Sequence, residues 1–105
     1  MANAEEQELV LTNNLGTFCD KMDPKEVAVY LRSKDVLTQR QLDEIRNMPT
    51  DYDGSGLLVE AVRRKLPASF RLFHESLVKT NQRALADILK PHLPSDSNSA
   101  RLLDI

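Results

Sequence analysis

Apolar residues recur at helical spacing along most of the chain, from about residue 4 to residue 90. Leu11, Leu15, Phe18 and Met22 stand 4, 3 and 4 positions apart, which predicts one face of a first helix over about residues 4 to 21. Asn13-Asn14 and Gly16 form helix poorly and predict a kink or break near its middle. A second helix is expected from Pro24 to about Ser33, with Val27, Tyr30 and Leu31 inward, and a third from Gln39 to about Asn47, with Leu42 and Ile45 inward. The fourth turns Leu58, Ala61 and Val62 inward and finishes on Arg63-Arg64-Lys65, cations that suit the negative end of a helix. Pro67 opens a fifth helix whose Phe70, Phe73 and Leu77 repeat the 3, 4 spacing of a core stripe. A sixth, from about Gln82 to Lys90, turns Leu85, Ile88 and Leu89 inward and stops before Pro91. No period-2 run of β-branched residues longer than a few positions competes with these helices. The pattern predicts an all-α fold of six short helices.

Start and stop signals mark the boundaries. Asp23-Pro24-Lys25-Glu26 places an N-cap acid before a proline, with a glutamate three residues after the cap. Thr38-Gln39-Arg40-Gln41 is a second capping box, flanked by Leu37 and Leu42 where a hydrophobic staple would sit. Met48 to Gly56 reads as the clearest loop, and Asn81 as a left-handed C-cap. The segment 91–105 is rich in Pro, Ser, Asp and Asn and reads as a flexible tail or linker after a bundle over residues 1–90.

Composition narrows the class. One hundred and five residues make one domain, large enough to fold without disulfides or metal. Apolar residues are 41% of the chain but only five are aromatic, so the core is mostly aliphatic, as helix-on-helix packing requires. A net charge of −2 lacks the electrostatic excess that holds nucleic acid or an anionic membrane, so neither is expected as a partner. The alternative, a nucleic-acid-binding helical domain, would use Arg63, Arg64, Lys65 and Arg71, but lacks a groove-reading helix. Cys19 is the single cysteine, as a reducing compartment permits. The N-terminus has neither the basic nor the apolar region of a signal peptide, and no apolar run approaches membrane-spanning length. A cytoplasmic location is expected.

The candidates for chemistry are few. Asp51-Tyr52-Asp53-Gly54-Ser55-Gly56 copies the first half of a calcium loop, but Val62 stands at the twelfth position, where a bidentate glutamate is needed. It reads as a polar turn, and no metal or cofactor is expected. Cys19, His74 and His92 form no nucleophile–base pair by position, so no catalytic residue is assigned.

At the level of residue order, Val36-Leu37-Thr38 and Leu42-Asp43-Glu44-Ile45 resemble the start of helix three in caspase-recruitment domains, the CARD branch of the death-fold superfamily. Leu57 to Phe73 is similar to that family's helix four, basic turn and Phe-x-x-Phe of helix five. Leu77, Thr80, Gln82, Leu85-Ala86 and Leu89 continue the match. The likeness spans roughly residues 9 to 90 and is nearest to initiator-caspase prodomains. It departs where the family often has glycine, at Leu66 after the basic run and at Asn81 before the last helix.

The resemblance implies an antiparallel six-helix bundle that recruits a caspase or a CARD-bearing adaptor in apoptotic or inflammatory signalling. Docking would be charge-complementary, with self-association into oligomers or filaments open to the same faces. It places the basic face on Lys21, Arg63, Arg64 and Lys65 and the acidic face on Glu26, Asp43 and Glu44. Lys25, Arg32 and Lys34 interrupt the acidic side, and Glu5, Glu6 and Glu8 make the start of helix one acidic. Asp96, followed by a small residue in the tail, has the form of a caspase cleavage site.

Overall fold

The computed structural model describes residues 4–93, whose regular elements are all helical, with no strand among them. Its helices are α1 (Ala4–Asn13), α2 (Leu15–Lys21), α3 (Pro24–Ser33), α4 (Gln39–Arg46), α5 (Asp51–Arg64), α6 (Ala68–Lys79) and α7 (Arg83–Leu89), with a final 3-10 turn at Lys90–His92. The expected first helix is α1 and α2 together, kinked at Asn14, so the six-helix bundle stands. Asn14 leaves helical geometry, and its side-chain amide and backbone N–H both donate to the Val10 carbonyl, at 2.9 and 3.1 Å. That competing side-chain bond is how asparagine bends a helix. The kink has a consequence that periodicity did not foresee. Phe18 and Met22 turn into the core beside Leu11, whereas Leu15 is left 39% exposed on the rim.

The largest departure is at the fourth predicted helix. Asp51 to Gly56, expected within a loop, forms the first turns of α5. Thr50 caps it, its hydroxyl accepting from the Asp53 N–H at 3.2 Å, and Asp51 and Asp53 lie at the positive end of the helix. Gly54 is there for space. A Cβ would meet the Ile45 carbonyl oxygen and the Pro24 ring at 3.3 Å, tighter than ordinary contact, so the lack of a side chain lets α5 pass close to α3 and α4 without displacing them.

Three other turns were read from local chemistry, with mixed outcome. The Thr38 box closes in both directions: Gln41 N–H donates to the Thr38 hydroxyl and Thr38 N–H to the Gln41 side chain. Leu37 and Leu42 are both buried beneath it. The box at Asp23 does not close. The Asp23 side chain caps nothing, and its N–H, which Glu26 would have taken, donates instead to Gln82 Oε1 at 2.8 Å. Asn81 is left-handed as expected, with φ 64°, and the Gln82 N–H reaches back to the Leu77 carbonyl at 2.8 Å. Asp35 does the same after α3 at φ 63°, with Val36 N–H on the Leu31 carbonyl. Leu66 needs no left-handed conformation. The corner into α6 carries a cis Leu66-Pro67 bond, and the Ser69 hydroxyl donates to the Val62 carbonyl at 2.6 Å.

α5 packs against α1, α2, α3, α4 and α6, which makes it the centre of the bundle. Phe18, Phe70, Phe73, Leu58 and Leu77 are fully buried, with the Phe18 and Phe73 rings tilted at 49° and their centroids 5.4 Å apart. The 3-10 turn returns to α1, where His92 Nδ1 lies 2.7 Å from Glu6 Oε2. The rest of the expected tail, including Asp96, lies outside the described residues.

Candidate interaction surface

The basic run closes α5, and its three cations have different surroundings. Arg63 reaches Glu8 on α1 at 3.0 Å and also bonds Glu60 one turn back. The hydrogen bond it donates to Glu8, followed by the charge of Glu60, holds its guanidinium even more firmly protonated than usual. Arg64 is 69% exposed and shares Glu60 at 3.5 Å. Lys65 donates to the Asp35 carbonyl at 3.2 Å, across the turn after α3. Lys21 is exposed at the end of α2.

The expected acidic residues are divided. Asp43 and Glu44 are neighbours on the exposed side of α4, Asp43 accepting from Gln39 at 3.1 Å and Glu44 lying 3.8 Å from Arg40. Glu44 and Arg64 line one small cleft between α4 and α5, of about 200 Å³, together with Leu57 and Glu60. Glu26 is elsewhere. It lines a larger groove formed by α3, the end of α4 and α6, beside Lys25, Val29, Tyr30, Arg46 and Lys79. The fold therefore brings Glu44 together with Arg64 and assigns Glu26 to a separate surface.

The groove between α3 and α6 was missed because its cations come from three helices, a combination that local patterning does not reveal. The start of α5 was legible, since Thr50-x-x-Asp53 has the capping pattern, but the two glycines drew the reading toward a turn.

Cys19 is buried, and burial, then the nearby Asp20 and Asp53 charges, push its thiol up, away from the thiolate. Burial, reinforced by Lys90, pushes His74 down. Among the described residues no three His, Cys, Asp or Glu side chains are grouped to hold a metal, and no helix is long and apolar enough to cross a membrane.

Fold and surface thus define a small all-helical bundle whose exposed faces carry both signs of charge. Residues 8–92 match the family model of the caspase recruitment domain, and the chain belongs to that family. It is 28% identical over 82 residues to Cell death protein 3 of Caenorhabditis remanei, an alignment covering 78% of this chain and 16% of that protein. The chain thus spans only a small part of that relative's length. The family likeness read from Val36 to Ile45 and Leu57 to Phe73 is established by these matches. A caspase recruitment domain is a homotypic interaction module of apoptotic and inflammatory signalling, not a catalytic one, and its partners are CARD-bearing proteins such as caspases or adaptors.

Proposed function

We propose that the α4–α5 face docks the CARD of a cytoplasmic caspase or adaptor by charge complementarity, and so links an upstream signal to caspase recruitment. The observation that carries this reading is the single cleft lined by exposed Arg64, by Glu44 and by Leu57, which is 37% exposed. A cation, two carboxylates, one of them already bonded to that cation, and an exposed aliphatic suit a partner whose own charges are arranged in the opposite sense. Such pairs steer encounter and select partners more than they add affinity. Lys65 follows Arg64 at the end of α5 and Asp43 precedes Glu44 on α4, whereas Lys21 closes α2 and does not line this cleft. Arg63, engaged by two carboxylates, acts as a brace between α1 and α5. With both arginines of the run already beside carboxylates, binding to phosphates is disfavoured.

The test is calorimetric titration of a CARD-bearing caspase or adaptor into wild type, Arg64→Glu and Glu44→Lys. Each variant keeps its fold, because surface substitutions change stability by less than about 0.5 kcal/mol. Each is expected to bind about tenfold or more weakly, the wild-type affinity falling with added salt. Binding by Arg64→Glu that equals wild type at every salt concentration rules this face out.

A further inference from the structure

The groove between α3 and α6 has a volume of about 580 Å³, the size of a small-molecule site. Lys25 stands in the first turn of α3, Arg46 closes α4 and Lys79 closes α6, and Glu26 is the single carboxylate among the described residues of the lining. Among the described residues these three cations have no ion-pair partner, unlike Arg63 and Arg64. Lys34, 5.5 Å above the Tyr30 ring, adds further positive charge beside the groove. The cavity along α1 is the opposite case, lined by Glu5, Glu6 and Glu8, with Arg63 already bonded to Glu8.

The hydroxyl groups of the α3–α6 groove are committed within the molecule. Tyr30 donates to Glu75 at 2.8 Å, Ser33 to the Tyr30 carbonyl at 2.6 Å, and Thr80 to the Ser76 carbonyl at 2.8 Å. The side-chain donors left for a ligand are therefore the ammonium groups of Lys25 and Lys79 and the guanidinium of Arg46. Donors that all carry charge favour anionic oxygens, and three of them against one carboxylate exceed what a single carboxylate ligand neutralises. A polyphosphate supplies that charge. Beside the cations lie Val29, 52% exposed, and the half-buried Tyr30, whose ring is held by the bond to Glu75. A bare anion leaves this apolar surface in water, whereas a ligand with a ring covers it.

We infer that the α3–α6 groove binds a nucleoside polyphosphate, with its phosphates on Lys25, Arg46 and Lys79 and its ring system over Val29 and Tyr30. The site uses neither Arg64 nor Glu44 and is independent of the α4–α5 face. Because its cations come from three helices, occupancy ties α3, α4 and α6 together and stabilises the fold by mass action.

The experiment is calorimetric titration of the full chain with four probes, ATP, tripolyphosphate, adenosine and a hexaglutamate peptide, with circular dichroism to check folding. ATP is expected to bind and to raise the melting temperature. Tripolyphosphate is expected to bind about tenfold more weakly, because it leaves Val29 and Tyr30 uncovered, and adenosine and hexaglutamate more weakly still. The double variant Lys25→Gln, Lys79→Gln changes two exposed side chains and is expected to lose about tenfold or more in ATP affinity. Val29→Ser is expected to narrow the gap between ATP and tripolyphosphate, and Arg64→Glu to bind ATP as wild type does. A wild type that does not bind ATP overturns the inference. So do equal affinities for ATP and tripolyphosphate, which mark an unspecific anion patch, and tighter binding of hexaglutamate than of ATP, which marks a peptide site. Wild-type ATP affinity in the double variant, or loss of ATP binding in Arg64→Glu, places the ligand elsewhere and overturns it too.

Discussion

The α4–α5 face and the α3–α6 groove carry similar side chains and treat them differently. On the first, Glu60 bonds both Arg63 and Arg64, Glu8 adds a second bond to Arg63, and Arg40 lies beside Glu44. Its charges are mostly neutralised within the molecule, so a partner must compete with intramolecular bonds. In the groove, Lys25, Arg46 and Lys79 converge with only Glu26 against them. Mutual repulsion there is relieved by water and salt, or by an acidic ligand. The lesson is that a count of charges on a helix does not locate a binding face. Their pairing decides how much of that charge a partner meets, and pairing is set by which helices lie next to each other.

The comparison presumes a common rigid frame, and the most drastic way to break it is through the core. Phe73 is fully buried on α6 against Phe18 of α2, so Phe73→Ala should cost about 3–5 kcal/mol and loosen the wall of the groove together with the centre of the bundle. A denaturant midpoint close to wild type would show that α6 is not anchored as described. A milder change separates the regions. Gly54 lies where α5 meets α3 and α4, and Gly54→Val should cost about 1–3 kcal/mol by pushing α5 away from the Ile45 carbonyl. Gly16 has no atom within 4 Å of a built Cβ, and Gly16→Ala should stabilise by about 0.5–1 kcal/mol. Thermal melts of the two variants that moved in the same direction would contradict this contrast.

The smallest expected effect is on pH dependence. The His74 imidazole on α6 is pushed below 6.5 by burial first and by the Lys90 charge second. Because the unfolded chain then binds the proton more readily, stability should fall as pH drops below 6.5, until the folded form also becomes protonated. His74→Gln should flatten that slope while leaving the ion pairs of the α4–α5 face intact. Melts at pH 7 and below that show an unchanged slope in the variant would remove His74 from the account.

Much of the bundle was legible in residue order. The 3–4 stripes at Phe70, Phe73 and Leu77, and at Leu58, Ala61 and Val62, were read as core and are buried. Thr38 with Gln41, and Asn81, were read as caps and serve as caps. The errors have physical causes. Asp51 to Gly56 looked like a turn because glycine and aspartate favour turns in isolation, but Thr50 caps a helix there and Gly54 lets it pack closely on α3 and α4. Leu15 matched the apolar period, but the Asn14 bond to Val10 rotated it out of the core. Asp35 adopts a left-handed conformation without a glycine to announce it.

For the surface, legibility was lower. Arg64 and Glu44 were picked out as single residues, yet their shared cleft depends on the packing of α4 against α5, and the separation of Glu26 from them depends on α3 packing against α6. What the amino-acid order determined by itself is what acts within one or two helical turns: helix type, apolar stripe, caps and the family pattern they compose. Only the tertiary structure decided which charges are neutralised. Glu8 and Arg63, or Lys25 and Lys79, are more than 50 positions apart in the chain, and electrostatics responds to distance in space.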